Sequence, residues 1–129
     1  MHKVYKGDRV MSTLQDLIKK YASQYKEQVV EWRRYIHSHP ELSGKEKNTS
    51  LFIQKVLGEL GIPFVNDVSD YAVIGKIEGA QPGPVIALRA DIDALPIHET
   101  TGLPFASEND GVMHACGHDS HIAILLCAA

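Results

Sequence analysis

Cysteine is scarce in this chain, with two among 129 residues, and no apolar run approaches the length of a membrane-spanning helix. A bilayer span needs about 20 consecutive apolar residues, so we expect no membrane partner. Small secreted domains, by contrast, are rich in paired cysteines. A predicted helix would separate Cys127 from the loop holding Cys116 by roughly 10 Å or more, which is too far for a disulfide. The sequence therefore predicts reduced thiols and a cytoplasmic protein.

Basic residues are also few, since 13 Lys and Arg stand against 16 Asp and Glu, which gives a formal net charge of -3. Blocks of Lys or Arg are typical of proteins that bind nucleic acids or anionic membranes, and this chain has none. The segment Met1 to Met11 is polar and lacks the apolar core of a signal peptide. We therefore expect neither a nucleic-acid partner nor export. Repeats and low-complexity tracts are absent as well, which indicates a single module.

The first part of the chain carries helical patterns. Apolar residues recur at three- and four-residue spacing from Leu14 to Ile36, which predicts one long helix ended by Pro40, with its apolar stripe in the core. The segment Ser43 to Glu46 has the pattern of a capping box and predicts the start of a second helix. Gly61 is then a natural stop for that helix.

Segments that favour strands follow the helical part. Phe64–Val65, Tyr71–Ile77 and Val85–Leu88 are short and rich in β-branched or aromatic residues. The Gly- and Pro-rich stretch 79–84 predicts a turn, and hence an antiparallel hairpin that joins 71–77 to a buried strand at 85–88. Residues 96–111 are expected to form a loop over a site. Helices and strands in this order predict an α/β domain.

The stretch 113–121 concentrates the side chains that bind divalent transition metals: one thiol, three imidazoles and a carboxylate. An extended backbone sends residues two apart to the same face. His114, Cys116 and His118 are therefore candidates to converge on one ion, because thiolate and neutral imidazole are preferred ligands of such ions. The pattern predicts part of a metal site.

Each of these residues also has an ordinary explanation. A free cysteine is most often a small buried apolar residue, as expected for Cys127, and a single histidine is usually a hydrogen-bonded core or surface residue. The clustering favours the metal site over these explanations. Gly117 leaves room for the backbone near an ion, and Asp119 or Ser120 is expected to cap a helix that begins just after it.

Two carboxylates lie upstream, where Val85–Leu88 runs into Asp91 and Asp93. Open α/β sheets place their chemistry at the carboxyl ends of strands, where loops can surround the side chains. An ordinary alternative is a solvated turn before Pro96 in which Arg89 forms a salt bridge. Beside a Cys/His loop, one carboxylate is suited to bind a metal ion and another to orient a ligating histidine.

Three motifs together resemble one family. The segments Trp32–Arg34 with His37–Ser43, Arg89–Ile97 and Met113–His121 occur in its order and approximate spacing. The chain resembles the metal-dependent amidohydrolases that include hippurate hydrolase, indole-acetyl-amino-acid hydrolase and N-acetyl-diaminopimelate deacetylase. The resemblance runs from about Leu14 to Ala129. It implies the N-terminal part of a zinc-peptidase-like α/β catalytic domain with a mixed sheet flanked by helices.

The resemblance also implies roles for particular residues. Cys116 and His118 match metal ligands, with Cys116 where related two-metal peptidases carry a bridging Asp. Asp91 matches a possible further ligand, and Asp93 matches the carboxylate that orients a ligand. His114, Asp119 and His121 receive no ligand role and are expected to shape the loop, cap the helix or contact the ligands. The implied cofactor is a pair of divalent ions, which would be zinc, manganese or cobalt.

The implied activity is hydrolysis of the amide bond of N-acyl amino acids, a class of small-molecule substrate. Relatives carry a glutamate pair, further His ligands and a lid domain after the motif at 113–121. We therefore expect residues 1–129 to be a single partial catalytic domain that is inactive by itself, with residues 1–12 flexible. An apolar C-terminal helix without a stop signal favours the same interpretation.

Two other functions stay open on the sequence. The chain is a candidate for a non-catalytic module that binds partners or associates with itself, which would make it a homo-oligomer. Alternatively, Cys116 is the centre of a simple Cys/His metal or redox site.

Overall fold

The structure is a computed structural model that describes the backbone of residues 7–129 and the side chains from Thr13 onward. Its elements, in chain order, are the helices and strands α1 (Gly7–Gln24), α2 (Lys26–Ser38), α3 (Lys47–Glu59), β1 (Phe64–Val65), β2 (Ile74–Gly75) and α4 (His118–Ala128). Among the helices of this range, none has both the length and the apolar character to cross a membrane. The expected flexibility of residues 1–12 stays a prediction, because 1–6 lie outside the described residues and α1 begins at Gly7.

The predicted long helix is divided into α1 and α2 at Tyr25, where the backbone angles are φ -98° and ψ 2°. Hydrogen bonds of 3.0 Å from Tyr25 to Tyr21 and from Val29 to Tyr25 are kept, so the interruption is a local distortion of the backbone. The helical pattern ends before Pro40, as predicted.

The apolar stripe of these helices is buried only in part. Ile36 of α2 lies in the core, whereas Leu14 and Ile18 of α1 are each 58% exposed. The prediction that the whole stripe packs in the core was therefore wrong for α1. The described side chains of α1 are exposed because the core of the described residues is built by α2, α3 and α4, and α1 lies outside it.

Helix α3 is capped from a distance and not by the predicted capping box. Glu46 occupies the N-cap position without a side-chain hydrogen bond. The backbone N–H groups of Asn48 and Thr49 instead donate to the Glu41 carboxylate at 3.1 and 2.8 Å. A carboxylate at a helix N-terminus satisfies free N–H groups and complements the helix dipole. The other end of α3 stops at Gly61 as predicted, with φ at +70°.

The core is formed where α2, α3 and α4 meet. Its buried apolar side chains are Ile36, Ile53, Val56, Leu57, Ile122 and Leu126. Trp32 and Phe52 pack against them from the edges of the cluster. Burying these side chains is the main apolar contribution to stability, at about 1.5–3 kcal/mol for each large side chain.

The sheet differs from the predicted hairpin. Strand β1 pairs antiparallel with β2, in the register Phe64 with Gly75 and Val65 with Ile74. The segment 85–88 joins no strand, and Val85 and Ile86 are 97% and 80% exposed. The prediction of a buried strand there was wrong, because no neighbouring strand among residues 7–129 supplies hydrogen bonds or an apolar face.

Two isolated bridges complete the β structure. Leu42 pairs with Ala94 in parallel, and Leu95 pairs with Met113 antiparallel. The described residues therefore combine helices with both types of strand pairing, as expected for an α/β domain. The second bridge matters for function, because it connects the segment that holds Asp91 and Asp93 (the carboxylate segment) to the loop that holds Cys116 and leads into His118 (the Cys/His loop).

We expect Glu41→Gln to destabilise the protein by about 1 kcal/mol at pH 7, as for the loss of a helix cap. Burial raises the pKa of Glu41, but hydrogen bonds from Thr49 and Asn48 outweigh it and hold this pKa below its ordinary value of 4.5. A depressed pKa in the folded state stabilises the fold above the pKa of the unfolded chain. This contribution is lost as the pH falls through the folded-state pKa.

Urea unfolding of both proteins at a series of pH values measures this effect. The two free energies of unfolding should converge as the pH falls below the folded-state pKa of Glu41. Glu59→Gln is the matched control, because Glu59 is exposed at the far end of α3 and pairs with Lys55 at 3.8 Å. This control should behave as the wild type does. A wild-type advantage over Glu41→Gln that stays constant with pH would contradict the assignment.

Candidate metal centre

The Cys/His loop is held against the carboxylate segment by backbone hydrogen bonds. Leu95 and Met113 exchange N–H to carbonyl bonds of 2.9 and 3.0 Å. On the other side, the Ala94 N–H donates to the carbonyl of Glu41 at 2.7 Å. These bonds fix Asp93, the residue before Ala94, at the point where the loop turns into α4.

The turn into α4 depends on Gly117, which is the N-cap residue with φ 87° and ψ 13°. This left-handed conformation is costly for residues with a Cβ atom. The helix begins at His118, with no side-chain hydrogen bond at its cap. The expectation that Asp119 or Ser120 caps α4 was therefore wrong, because the left-handed glycine starts the helix before them.

Cys116, His118 and Asp93 meet at one point. His118 Nδ1 lies 3.0 Å from Asp93 Oδ1 and 3.1 Å from the Asp93 carbonyl oxygen. The Cys116 thiol lies 3.9 Å from the same carbonyl oxygen. Because carboxylate and carbonyl oxygens only accept hydrogen bonds, Nδ1 carries the ring proton. The lone pair of a neutral ring is then on Nε2, which is the arrangement of metal-ligating histidines.

The carboxylate of Asp91 is paired with Arg89 and has no hydrogen bond to Cys116 or His118. It accepts hydrogen bonds of 2.6 and 3.0 Å from Arg89 and is half exposed. The salt bridge with Arg89 that the sequence left open as an alternative is therefore present, but residues 89–95 form no turn. In the part of the chain that the structure describes, no three His, Cys, Asp or Glu side chains are grouped as they would be around an ion. The structure therefore brings together Cys116 and His118 with Asp93 but not with Asp91.

His114 is buried and does not share the exposed position of Cys116. Burial lowers the pKa of His114 to about 4, so its ring is neutral at pH 7. Neither of its ring nitrogens has a hydrogen-bond partner within residues 13–129. A buried polar group without a partner costs about 1–3 kcal/mol.

A buried cluster of charged side chains next to the loop escaped the sequence analysis. Asp119 Oδ2 accepts hydrogen bonds from Arg33 Nε and His37 Nδ1, both at 2.8 Å. His37 Nε2 lies 3.3 Å from Glu99 Oε1. Arg33 and His37 are four residues apart and so share one helical face, which is the signal that the sequence offered. Nothing in the sequence pointed to Glu99 as their partner.

Both carboxylates of this cluster are held in their charged form. Burial raises the pKa of Asp119, but hydrogen bonds from His37, the Ser120 backbone and Arg33 outweigh it, and the pKa lies below its ordinary value. Burial likewise raises the pKa of Glu99, and hydrogen bonds from Thr101, the Ser107 backbone and His37 bring it below its ordinary value. The cluster therefore contains two negative charges at pH 7.

Known proteins match this chain over most of its length. The model of peptidase family M20/M25/M40 matches residues 87–129. The N-acyl-L-amino acid amidohydrolase of Geobacillus stearothermophilus is 46% identical over 112 residues, which cover 87% of this chain and 30% of that enzyme. The N-acetyl-L-cysteine deacetylase of Bacillus subtilis is 52% identical over 107 residues, covering 83% of this chain and 26% of the deacetylase. The chain thus spans less than a third of the length of these relatives.

A solved structure agrees with these matches. A dinuclear metal-binding peptidase of the M20 family from Bacillus subtilis superposes with a TM-score of 0.78 at 48% identity, covering 81% of this chain and 30% of that one. The fold of residues 7–129 is therefore part of an α/β domain of this kind, and the resemblance seen in the three motifs is confirmed. Through residues 87–129 the chain matches the M20/M25/M40 family of peptidases.

Proposed function

We propose that this chain forms part of the catalytic domain of a metal-dependent amidohydrolase, one that hydrolyses the amide bond of N-acyl amino acids. The observation that carries the proposal is the contact of Asp93 with His118 Nδ1 beside the Cys116 thiol. The names of the amidohydrolase and deacetylase relatives support the substrate class. This substrate is a small molecule, so the proposal requires no nucleic acid and no membrane.

The donor atoms of the site fit a divalent transition metal. Cys116 Sγ and His118 Nε2 would be ligands, and Asp93 would orient the His118 ring through Nδ1. Thiolate with imidazole suits zinc, and additional oxygen ligands would suit manganese or cobalt. When bound, the ions would polarise the amide carbonyl and activate water, with two ions expected from the dinuclear relative.

Residues 13–129 supply fewer ligands than such a centre needs. A catalytic zinc normally has three protein ligands and one open position, and a two-metal site needs more. Asp91 would join the set only if its carboxylate left Arg89. We therefore infer that further ligands, and the carboxylate that accepts a proton from water, come from polypeptide outside these 129 residues.

The thiol of Cys116 also supports a location. A cysteine ligand has to be a thiolate, and exposed thiols persist in reducing compartments such as the cytoplasm. Cys116 is exposed, and neither it nor Cys127 is in a disulfide. We therefore propose that the protein works in the cytoplasm.

Self-association is a second candidate function, favoured by the exposed apolar side chains of α1 and of the segment 85–88. Exposed apolar patches of this kind commonly mark interfaces. Sedimentation velocity over a range of protein concentrations should show oligomers that dissociate on dilution. A monomer at every concentration would contradict this candidate and leave the amidohydrolase proposal untouched.

Zinc binding by the chain tests the ligand assignment. We expect Cys116→Ala to lose most of the Zn²⁺ affinity, because it removes the thiolate. Asp93→Asn should weaken binding by about 10–100-fold, because the His118 ring loses its anionic partner. Competition titrations against a chromophoric chelator measure both effects. Cys127→Ala is the matched control on α4, since Cys127 is half buried and away from the loop. Equal Zn²⁺ affinity in the wild type and Cys116→Ala would contradict the assignment.

Hydrolysis tests the proposed division of the active site. The 129-residue chain, loaded with Zn²⁺ or Mn²⁺, should not turn over N-acetyl amino acids, because it lacks the proton-accepting carboxylate and further ligands. A fusion to the part of the Geobacillus stearothermophilus amidohydrolase that the chain does not cover should be active. Amino-acid release followed by a colorimetric amine assay measures both. The proposal that the active site is completed by further polypeptide would be overturned if the 129-residue chain alone hydrolysed the substrate and its Cys116→Ala variant did not.

A further inference from the structure

The buried charged cluster lies between three parts of the structure and takes no direct part in the proposed chemistry. Asp119 belongs to the first turn of α4, His37 to α2, and Glu99 to the loop 96–111. The side chains of these three residues are 0%, 4% and 3% exposed. Because these side chains are buried, hydrogen bonds within the cluster have to offset the cost of taking their charges out of water. Of the two Asp119 carboxylate oxygens, only Oδ2 has such bonds among the described residues.

The geometry determines where the protons of His37 lie. Its Nδ1 faces the Asp119 carboxylate at 2.8 Å and its Nε2 faces the Glu99 carboxylate at 3.3 Å. Carboxylates only accept hydrogen bonds, so both ring nitrogens have to donate, which makes the ring an imidazolium. With His37 and Arg33 positive and the two carboxylates negative, the buried cluster is neutral. A neutral His37 would leave a lone pair facing a carboxylate and one negative charge uncompensated.

The same contacts anchor the loop. Glu99 Oε2 accepts a hydrogen bond from the Ser107 backbone at 2.7 Å, and Oε1 accepts one from Thr101. Between them, Phe105 meets the His37 ring edge-on, with 5.7 Å between the ring centroids. The Arg33 guanidinium lies 5.4 Å from the centroid of the Phe105 ring. The loop is thus attached to α2 by the residues that also hold Asp119.

We propose that His37 is a positioning residue that, as an imidazolium between Asp119 and Glu99, couples the loop 96–111 to the first turn of α4. Asp119 directly follows His118, so its position determines where the His118 backbone lies. His37 thereby fixes Cys116 and His118 relative to the loop. The effect on the metal ligands rests on the proposed function, whereas the coupling itself does not.

Nuclear magnetic resonance of the metal-free chain tests the coupling. Long-range proton–nitrogen spectra should show both His37 ring nitrogens protonated at pH 7. In Glu99→Gln, His37 should carry one ring proton, and the amide signals of residues 117–120 should shift. Glu108→Gln is the matched control on the same loop, because Glu108 is exposed and lies 3.8 Å from His39. The Glu108→Gln variant should change neither the protonation of the His37 ring nor the amide signals of residues 117–120. A singly protonated His37 in the wild type, or unmoved 117–120 amides in Glu99→Gln, would overturn the proposal.

Zinc titration separates this proposal from the proposed function. Glu99→Gln should weaken Zn²⁺ binding by about 10-fold, as for other residues that support metal ligands indirectly, and Glu108→Gln should not. Equal affinity in the wild type and Glu99→Gln would refute the positioning role while leaving the metal site in place. If neither the wild type nor any variant binds Zn²⁺, the metal assignment fails. The coupling is then tested only by the spectra of the His37 ring nitrogens and of the amides of residues 117–120.

Discussion

The carboxylate of Asp119 is the group on which the arrangement of this structure depends. It is fully buried, and it joins α4 to α2 through Arg33 and His37. Removing one partner from such a buried pair typically costs about 3–5 kcal/mol, because an uncompensated charge remains. The apolar core brings the same helices together without specifying their orientation, whereas these hydrogen bonds fix the first turn of α4 against α2.

The start of α4 matters because His118 is its first residue. Gly117 supplies the left-handed turn that ends the Cys/His loop. The bridge between Leu95 and Met113 then holds that loop beside Asp93. A left-handed glycine, a backbone bridge and a buried ion pair thus act together. Their common result is that the Cys116 thiol and the His118 ring share one carbonyl oxygen as neighbour.

The same structure leaves apolar surface uncovered. The segment 85–88 is exposed and joins no strand, although its residues favour strands, and α1 carries exposed apolar side chains. The chain spans 30% of the amidohydrolase relative, and strands of open α/β sheets are normally covered on both faces. This uncovered apolar surface is what the proposed self-association would bury.

The sequence by itself determined the local features of this protein. The helical spacing, the stop at Gly61 and the ligand-rich stretch 113–121 follow from side-chain chemistry within a few residues, and the three motifs were enough to identify the family. Features that depend on distant partners did not follow. The cap of α3 by Glu41, the pairing of β1 with β2 and the exposure of 85–88 are such features. Only the tertiary structure decided that Asp93 and not Asp91 meets His118, and that His37 lies between Asp119 and Glu99. These contacts join residues 25 to 82 positions apart, and local patterns carry no information about such distances.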